Sequence, residues 1–434
     1  MNTKKRFWLA LVIFGLLGQV AWVVENMYFN VFIYNMFKAS PADIASMVSA
    51  SAIAATVTTI IMGALADKLG KRKMFICFGY IAWGISILLF ALIRVDFIQS
   101  IFPAMTVVSA SAICILLVII MDCVMTFFGS TANDAAFNAW LTDSTDDNNR
   151  GAAEGINSMM PLVAILVVFG GFMFFDLEKT SSWTLIFAII GGLVIICGIL
   201  GVFLIKDTCI KSAENNKFFS NLIYGFRLSV IKLNKSLYIT LIAFAVFGIS
   251  IQIFMPYLIL YYSVSLQMDN YVLIMAPAII VASVATAFYG RLYDRFKFTK
   301  TVIPAILILI SGYLLLFLFK STALVFIGSL LMMSGYLCGM AVFGAMIREK
   351  TPENKSGMFQ GLRICGQVLI PGVIGPEIGK AVLKNADVIL NNDGTTSFIP
   401  NENIFIAATA VAVVIFVFIP FINKLIKKEK KYDI

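Results

Sequence analysis

Twelve stretches of this chain are long and apolar enough to cross a bilayer, and no other feature restricts its fold as much. A membrane-crossing helix needs about 20 largely apolar residues. Such runs fall at roughly 7–36, 44–65, 74–94, 111–139, 152–175 and 183–205, and again at roughly 237–262, 271–290, 300–319, 321–347, 358–379 and 403–423. In hydrocarbon each backbone N–H and C=O must be satisfied within its own segment, so runs of this length predict helices. The expected fold class is an all-alpha polytopic membrane protein. Composition agrees: 60% of residues are hydrophobic and 13% charged, against about 25% charged in soluble domains. The first run outlasts the 7 to 15 residue apolar core of a signal peptide, so it is expected to be a retained helix.

An even number of spans puts both termini on one side, and the basic residues choose that side. Only Lys38, Arg94, Lys179, Lys320, Lys380 and Lys384 fall in the opposite set of loops, leaving 27 of the 33 lysines and arginines with the termini. Positive charge stays cytoplasmic, so both ends are expected inside, in a cell membrane. The formal charge of +9 then reports topology and an affinity for anionic lipid, and no nucleic-acid partner is needed to explain it. The chain has no histidine, and its seven cysteines are scattered without a CxxC pair. That predicts no disulfide framework, no metal centre and no cofactor. The motifs HExxH, GxSxG and the P-loop are absent, which argues against an enzyme and against ATPase activity.

Two polar joints recur. Thr145-Asp146-Asp147-Asn148-Asn149-Arg150-Gly151 aligns with Thr351-Pro352-Glu353-Asn354-Lys355-Ser356-Gly357, and Gly155 then aligns with Gly361. The first copy joins spans 4 and 5, the second spans 10 and 11. "GALADKLGKRK" (63–73), between spans 2 and 3, is echoed by "GRLYDRFKFTK" (290–300), between spans 8 and 9. Matched joints at matched places predict two parallel six-helix repeats, which rock about a site near mid-membrane. The expected organisation is an N-terminal six-helix bundle (1–205), a basic cytoplasmic linker (206–236) and a C-terminal six-helix bundle with a short basic tail (237–434).

With its paired Gly-x-Leu-x-Asp loops (Gly63, Leu65, Asp67; Gly290, Leu292, Asp294) and twelve spans, the chain resembles the major facilitator superfamily. Around helix 4, "NDAAFNAWLTD" (133–143) is similar to the glycoside-pentoside-hexuronide cation symporters typified by the melibiose permease, with Asp134 and Phe137 at the family's aspartate and aromatic positions. "IMG" (61–63) also fits that group. The chain departs from it where the family's two helix 2 aspartates fall on Ala55 and Thr59, its helix 11 lysine near Gln367, and its helix 1 aspartate near Ala21. The resemblance implies a secondary transporter, and the departures favour H+ over Na+ as the coupling ion.

Buried acids in a span normally face a bundle interior or cavity. Asp122, Thr126, Ser130, Asp134 and Asn138 repeat every four residues along one stripe of span 4, read as a cavity wall or a polar helix seam. In span 1, Gln19, Asn26 and Asn30 share a face with Glu25 beside it. By helical rise, Glu25 lies about 27 Å and Asp122 about 28 Å from the inner ends of their helices, so the two acids share a depth. Two close carboxylates can hold one proton between them. Glu25, Asp122 and Asp134 are therefore the ion-coupling candidates. The rival readings are that Glu25 lines an outer vestibule and that Asp134 pairs with Arg150 or another basic loop residue.

Aromatic and amide side chains suit a small polar solute such as a sugar. The solute-binding candidates are Gln19, Trp22, Asn26, Asn30, Thr126, Gln252, Tyr257, Tyr336, Arg363 and Gln367. Pro371 and Pro376 should bend span 11. Trp8 and Tyr262 read as interface anchors. Gating falls to Asp67, Lys71, Arg72, Arg150, Asp294 and Arg348 in the repeated joints, with helix capping as the plain alternative. Glycines 63, 151, 155, 290, 357 and 361 are expected to allow close helix approach. The function expected is proton- or cation-coupled symport of a sugar, glycoside or similar small polar solute by a monomer in the lipid bilayer. Export of drugs or metabolites is the alternative.

Overall fold

A computed structural model of the chain describes residues 3–145, 149–207, 224–268, 270–351, 356–391 and 394–432. Ten described helices are long and apolar enough to cross a membrane. One of them, Tyr271–Leu318, is two helices joined at Lys297, whose φ of 60° breaks the helical path. The continuous helical run 356–382 adds another. The spans are thus twelve among the described residues. They are α1 (Lys5–Phe37), α2 (Pro41–Leu69), α3 (Arg72–Leu89), α4 (Val107–Asp143), α5 (Arg150–Phe172), α6 (Thr180–Leu204), α7 (Lys235–Ser265), α8 (271–296), α9 (298–318), α10 (Thr322–Lys350), α11 (356–382) and α12 (Asn403–Tyr432). A two-stranded hairpin, β1 (Val388–Leu390) with β2 (Thr396–Phe398), lies between α11 and α12.

The chain is a multi-pass membrane protein. Its helices keep large apolar side chains exposed, such as Phe203 at 69% and Leu318 at 62%, as a lipid-facing surface requires and a water-facing one does not. Local signals set the helix ends. Ser40 and Asp43 form a reciprocal capping box at the start of α2, with Pro41 in the first turn, satisfying donors that the helix leaves open. Gly70 closes α2 in the left-handed region.

The structure divides into two compact units. One is drawn from Met1–Phe219 and Leu390–Ser397, the other from Ser220–Ile389 and Phe398–Ile434. Within the first, α1 packs on α5 and α6, α2 on α4, and α3 on α4 and α6. Within the second, α7 packs on α11 and α12, α8 and α9 on α10, and α9 on α12. Each contact in one unit has its counterpart in the other, six helices later. Of the expected linker, residues 208–223 lie outside the described residues; the rest holds a 3₁₀ turn, Tyr224–Phe226, and a short helix, Leu228–Leu233.

Close helix approach does not use four of the expected joint glycines, 63, 151, 155 and 290. A Cβ built on Gly151, Gly155 or Gly290 meets nothing within 4 Å, and on Gly63 only Ala135 at 3.7 Å. The tight seams lie mid-span instead: a Cβ on Gly84 of α3 would come within 2.6 Å of the Gly191 carbonyl oxygen on α6.

Candidate functional site

Regular helix fails around two of the first unit's acids, Glu25 and Asp134, while Asp122 sits in regular helix. The segment Val24–Tyr28 of α1 and the segment Ser130–Phe137 of α4 are π turns, a rare geometry that recurs at functional sites. Side chains stand in for the backbone there. The Asn26 amide donates to the Trp22 carbonyl at 2.7 Å, Asn30 to the Asn26 carbonyl at 3.1 Å, and Asn138 to the Asp134 carbonyl at 3.2 Å. Asn26 and Asn30, expected to bind solute, therefore spend these donors on their own helix, and Asn30 is fully buried. In α4 the π turn has a second consequence. A four-residue step in an α-helix rotates a stripe by about 40°. Inside the wider π turn the same step falls short of a full turn, so the drift from Asp122 to Ser130 reverses toward Asp134 and Asn138.

Three helices converge on Glu25, which is 6% exposed. The Ser51 hydroxyl of α2 donates to Glu25 Oε1 at 2.6 Å, and the Thr126 hydroxyl of α4 donates to the same oxygen at 3.0 Å. Ser51 Oγ and Thr126 Oγ1 are themselves 2.9 Å apart. Asp122, 2% exposed, interacts with the same Ser51 hydroxyl and with Glu25. Glu25 Oε2 and Asp122 Oδ1 are both buried without a hydrogen-bond partner. A buried ionised oxygen left without a donor is expensive. Each orphaned oxygen is therefore a place for a proton or for a donor group on a ligand. The rival reading of Glu25 as a residue of a wet outer vestibule does not fit its burial.

Asp134 lies further along the stripe. Ser130 donates to its Oδ2 at 3.1 Å and Asn133 to its Oδ1 at 3.3 Å, and Trp22 of α1 interacts with it. No basic residue pairs with it among the described residues. The Arg150 side chain, its expected rival partner, lies outside them. Asn133 is held in turn by Tyr80 of α3, whose hydroxyl is 2.9 Å from both Asn133 Oδ1 and the Phe14 carbonyl. Gly18 makes room for this knot, since a Cβ there would lie 2.4 Å from Asn133 Oδ1 and 2.7 Å from the Tyr80 hydroxyl. Trp22 packs on Trp83 with ring centres 5.0 Å apart, and Gln19 is half-buried nearby on α1.

Sequence reasoning missed Ser51, Tyr80 and Asn133. Ser51 sits in the small-residue run "SASA", which reads as a plain helix seam. Tyr80 is one tyrosine in an apolar helix. Asn133 was the one with a usable signal, since it adjoins Asp134.

In the second unit the solute candidates separate. Arg363 Nε donates to Gln367 Oε1 at 3.1 Å, across the π turn Cys365–Leu369. That turn ends two residues before Pro371, which lacks the N–H an α-helix would have offered to the Gln367 carbonyl. Gln252 is half-buried on α7 against α11, and Tyr336 is half-buried and stacks on Phe247. Tyr257 is fully buried and packs edge-on against Phe398. Tyr262 is a correction. It is buried, with its hydroxyl 2.6 Å from Ser329 Oγ, so it is no interface anchor. Among the described residues this unit buries no carboxylate: Asp294, Glu349, Glu377 and Asp387 are exposed and Glu402 is half-buried.

The repeated joints meet inside each unit. Arg72, buried at the start of α3, pairs with Asp143 at the end of α4 at 3.2 Å. In the second unit Glu349, at the end of α10, accepts from the Tyr293 hydroxyl at 3.1 Å and lies 4.0 Å from Lys297. Asp143 and Glu349 are equivalent positions in the repeat, 206 residues apart like Thr145 and Thr351. Arg72, a gating candidate, thus has Asp143 as a carboxylate partner. The Asp67 side chain lies outside the described residues, while Lys71, Asp294 and Arg348 are exposed.

Two six-helix repeats with buried carboxylates in one of them define a polytopic carrier fold. The sequence profile of the Major Facilitator Superfamily matches residues 7–376, and the chain belongs to that family, a transport fold and not a catalytic one. No curated protein is significantly similar in sequence. Solved structures share the fold. The nucleoside transporter NupG matches at 15% identity over 97% of this chain and 99% of its own, with a TM-score of 0.69. A bacterial homolog of the human lysosomal transporter Spinster matches at 16%, over 98% and 97%, with a TM-score of 0.70. A D-xylose–proton symporter matches at 11%, over 95% and 97%, with a TM-score of 0.70.

Proposed function

We propose that this chain is a secondary active transporter that couples proton movement to symport of a small polar solute, such as a sugar, glycoside or nucleoside, by alternating access. One observation supports this above the others. Glu25 and Asp122 share one serine hydroxyl, and each keeps a buried oxygen without a donor. Two carboxylates so placed titrate as a pair, which suits them to take up and release a proton. Asp134 is a third coupling candidate on the same helix. Gln19, Trp22 and Thr126 in the first unit, and Gln252, Tyr336, Arg363 and Gln367 in the second, remain the solute-binding candidates.

A D-xylose–proton symporter and a nucleoside transporter among the fold relatives agree with the solute class. Ala55 and Thr59 stand where melibiose-type symporters carry helix 2 acids, which favours H+ over Na+. The skew of basic residues supports cytoplasmic termini, and the reading takes a monomer as the functional unit.

Uptake by purified protein in proteoliposomes, with xylose, melibiose and uridine under imposed proton or sodium gradients, tests the reading. The expected result is proton-driven accumulation of one solute. In Glu25→Gln and Asp122→Asn that accumulation disappears while solute counterflow persists. An unchanged pH dependence in both variants, or accumulation driven by sodium alone, rejects it.

A further inference from the structure

The last turns of α8 carry Phe288, Arg291, Leu292, Arg295 and Phe296, at helix steps of three, four, seven and eight from the first. These positions fall on one face. In a packed helix such a face is buried, and in α8 it is not. Phe288 is 62% exposed, Leu292 38% and Phe296 39%, while Tyr293 on the other side is buried.

The cations on this face lean over its rings. The Arg291 guanidinium lies 5.8 Å from the Phe288 ring centre and Arg295 5.1 Å from that of Phe296. Beyond the Lys297 kink, the Lys300 ammonium comes within 5.9 Å of the Phe296 ring. Lys297 has Glu349 as its counter-ion. Among the described residues no carboxylate pairs with Arg291, Arg295 or Lys300, and Asp294 points off the stripe by helical phase.

We propose that this face is a binding surface for an anionic phospholipid, with Phe288, Leu292 and Phe296 against its acyl chains and Arg291, Arg295 and Lys300 around its phosphate. The stripe continues a membrane-crossing helix to its end, so its aromatic and basic residues sit at headgroup depth. Arginine reaches past an apolar stem to the phosphate plane and can grip two of its oxygens at once. Charge complementarity selects the occupant: three cations in a row, without a carboxylate partner among the described residues, match an anionic headgroup better than a zwitterionic one. The proposal rests on the membrane-crossing of α8 and not on the coupling reading.

Native mass spectrometry of the full-length protein, titrated with phosphatidylglycerol or phosphatidylcholine, provides the test. The variant Arg291→Gln/Arg295→Gln/Lys300→Gln is expected to bind phosphatidylglycerol on the order of 100-fold more weakly. Lys424→Gln/Lys427→Gln/Lys428→Gln, which removes the same charge from the end of α12, should leave that affinity in place. Arg295→Gln alone, expected to weaken binding roughly fivefold, keeps the test decisive if the triple variant does not fold. Equal losses in the two triple variants, equal binding of both lipids, or displacement of phosphatidylglycerol by millimolar inorganic phosphate would overturn the proposal.

Discussion

Asp143 and Glu349 occupy the same place in the two repeats, yet they do unequal work. Asp143 holds an arginine whose side chain is only 5% exposed, whereas Glu349 faces a lysine that is 63% exposed, at the 4.0 Å limit of an ion pair. The spans differ in the same direction. The first unit buries Glu25 and Asp122 and half-buries Asp134, while the second, among its described residues, buries no acid and offers amides, a tyrosine and Arg363. Buried charge is thus divided unequally between the two copies of one scaffold. The first unit carries buried carboxylates and a buried ionic clasp. The second carries amides, a tyrosine, an arginine and a loose, solvated clasp.

The largest expected effect sets the two sets of span residues against each other. Glu25→Gln should bring the accumulation ratio to about 1, the value with no coupling free energy. Gln367→Ala should weaken solute affinity and leave accumulation dependent on the proton gradient. Equal pH-independence in both variants would erase the division. Next comes the buried clasp. Arg72→Ala leaves Asp143 without its cation and should lower unfolding free energy by about 3 kcal/mol, read from denaturant unfolding in detergent. Gly18→Ala forces a methyl group onto Asn133 and Tyr80 and should cost about 2 kcal/mol, with Asp134 displaced as a result. The smallest effect belongs to the exposed clasp: Glu349→Gln should change stability by less than about 1 kcal/mol. If it matched Arg72→Ala, the two joints would be equivalent after all.

Much of the architecture was legible because each signal it needs lies within one helix or one loop. Apolar run length marks the spans, and capping residues such as Ser40 and Asp43 mark an end. The repeated joints needed only a comparison of the chain with itself. Helical rise alone put Glu25 and Asp122 at one depth. The π turns were not legible, because they come from Asn26, Asn30 and Asn138 bonding carbonyls of their own helices, an option that polar residues in a span do not always take. Tyr262 was misread for a related reason. A tyrosine in a span is amphipathic wherever it points, and only its neighbours decide between core and cavity.

By itself, then, the sequence determined the number of spans, their grouping into matched halves and the presence of acids in the first half. Those properties follow from hydropathy and periodicity, which each segment carries locally. Tertiary structure alone decided that Ser51 would join Glu25 to Thr126 across sequence separations of 26 and 75 residues, and that Arg72 would find Asp143, 71 residues further on. The physical reason is that hydrogen bonds and ion pairs act over about 3 Å. Which side chains come within that range is set by how helices pack, and one helix's pattern holds no record of its neighbour's register.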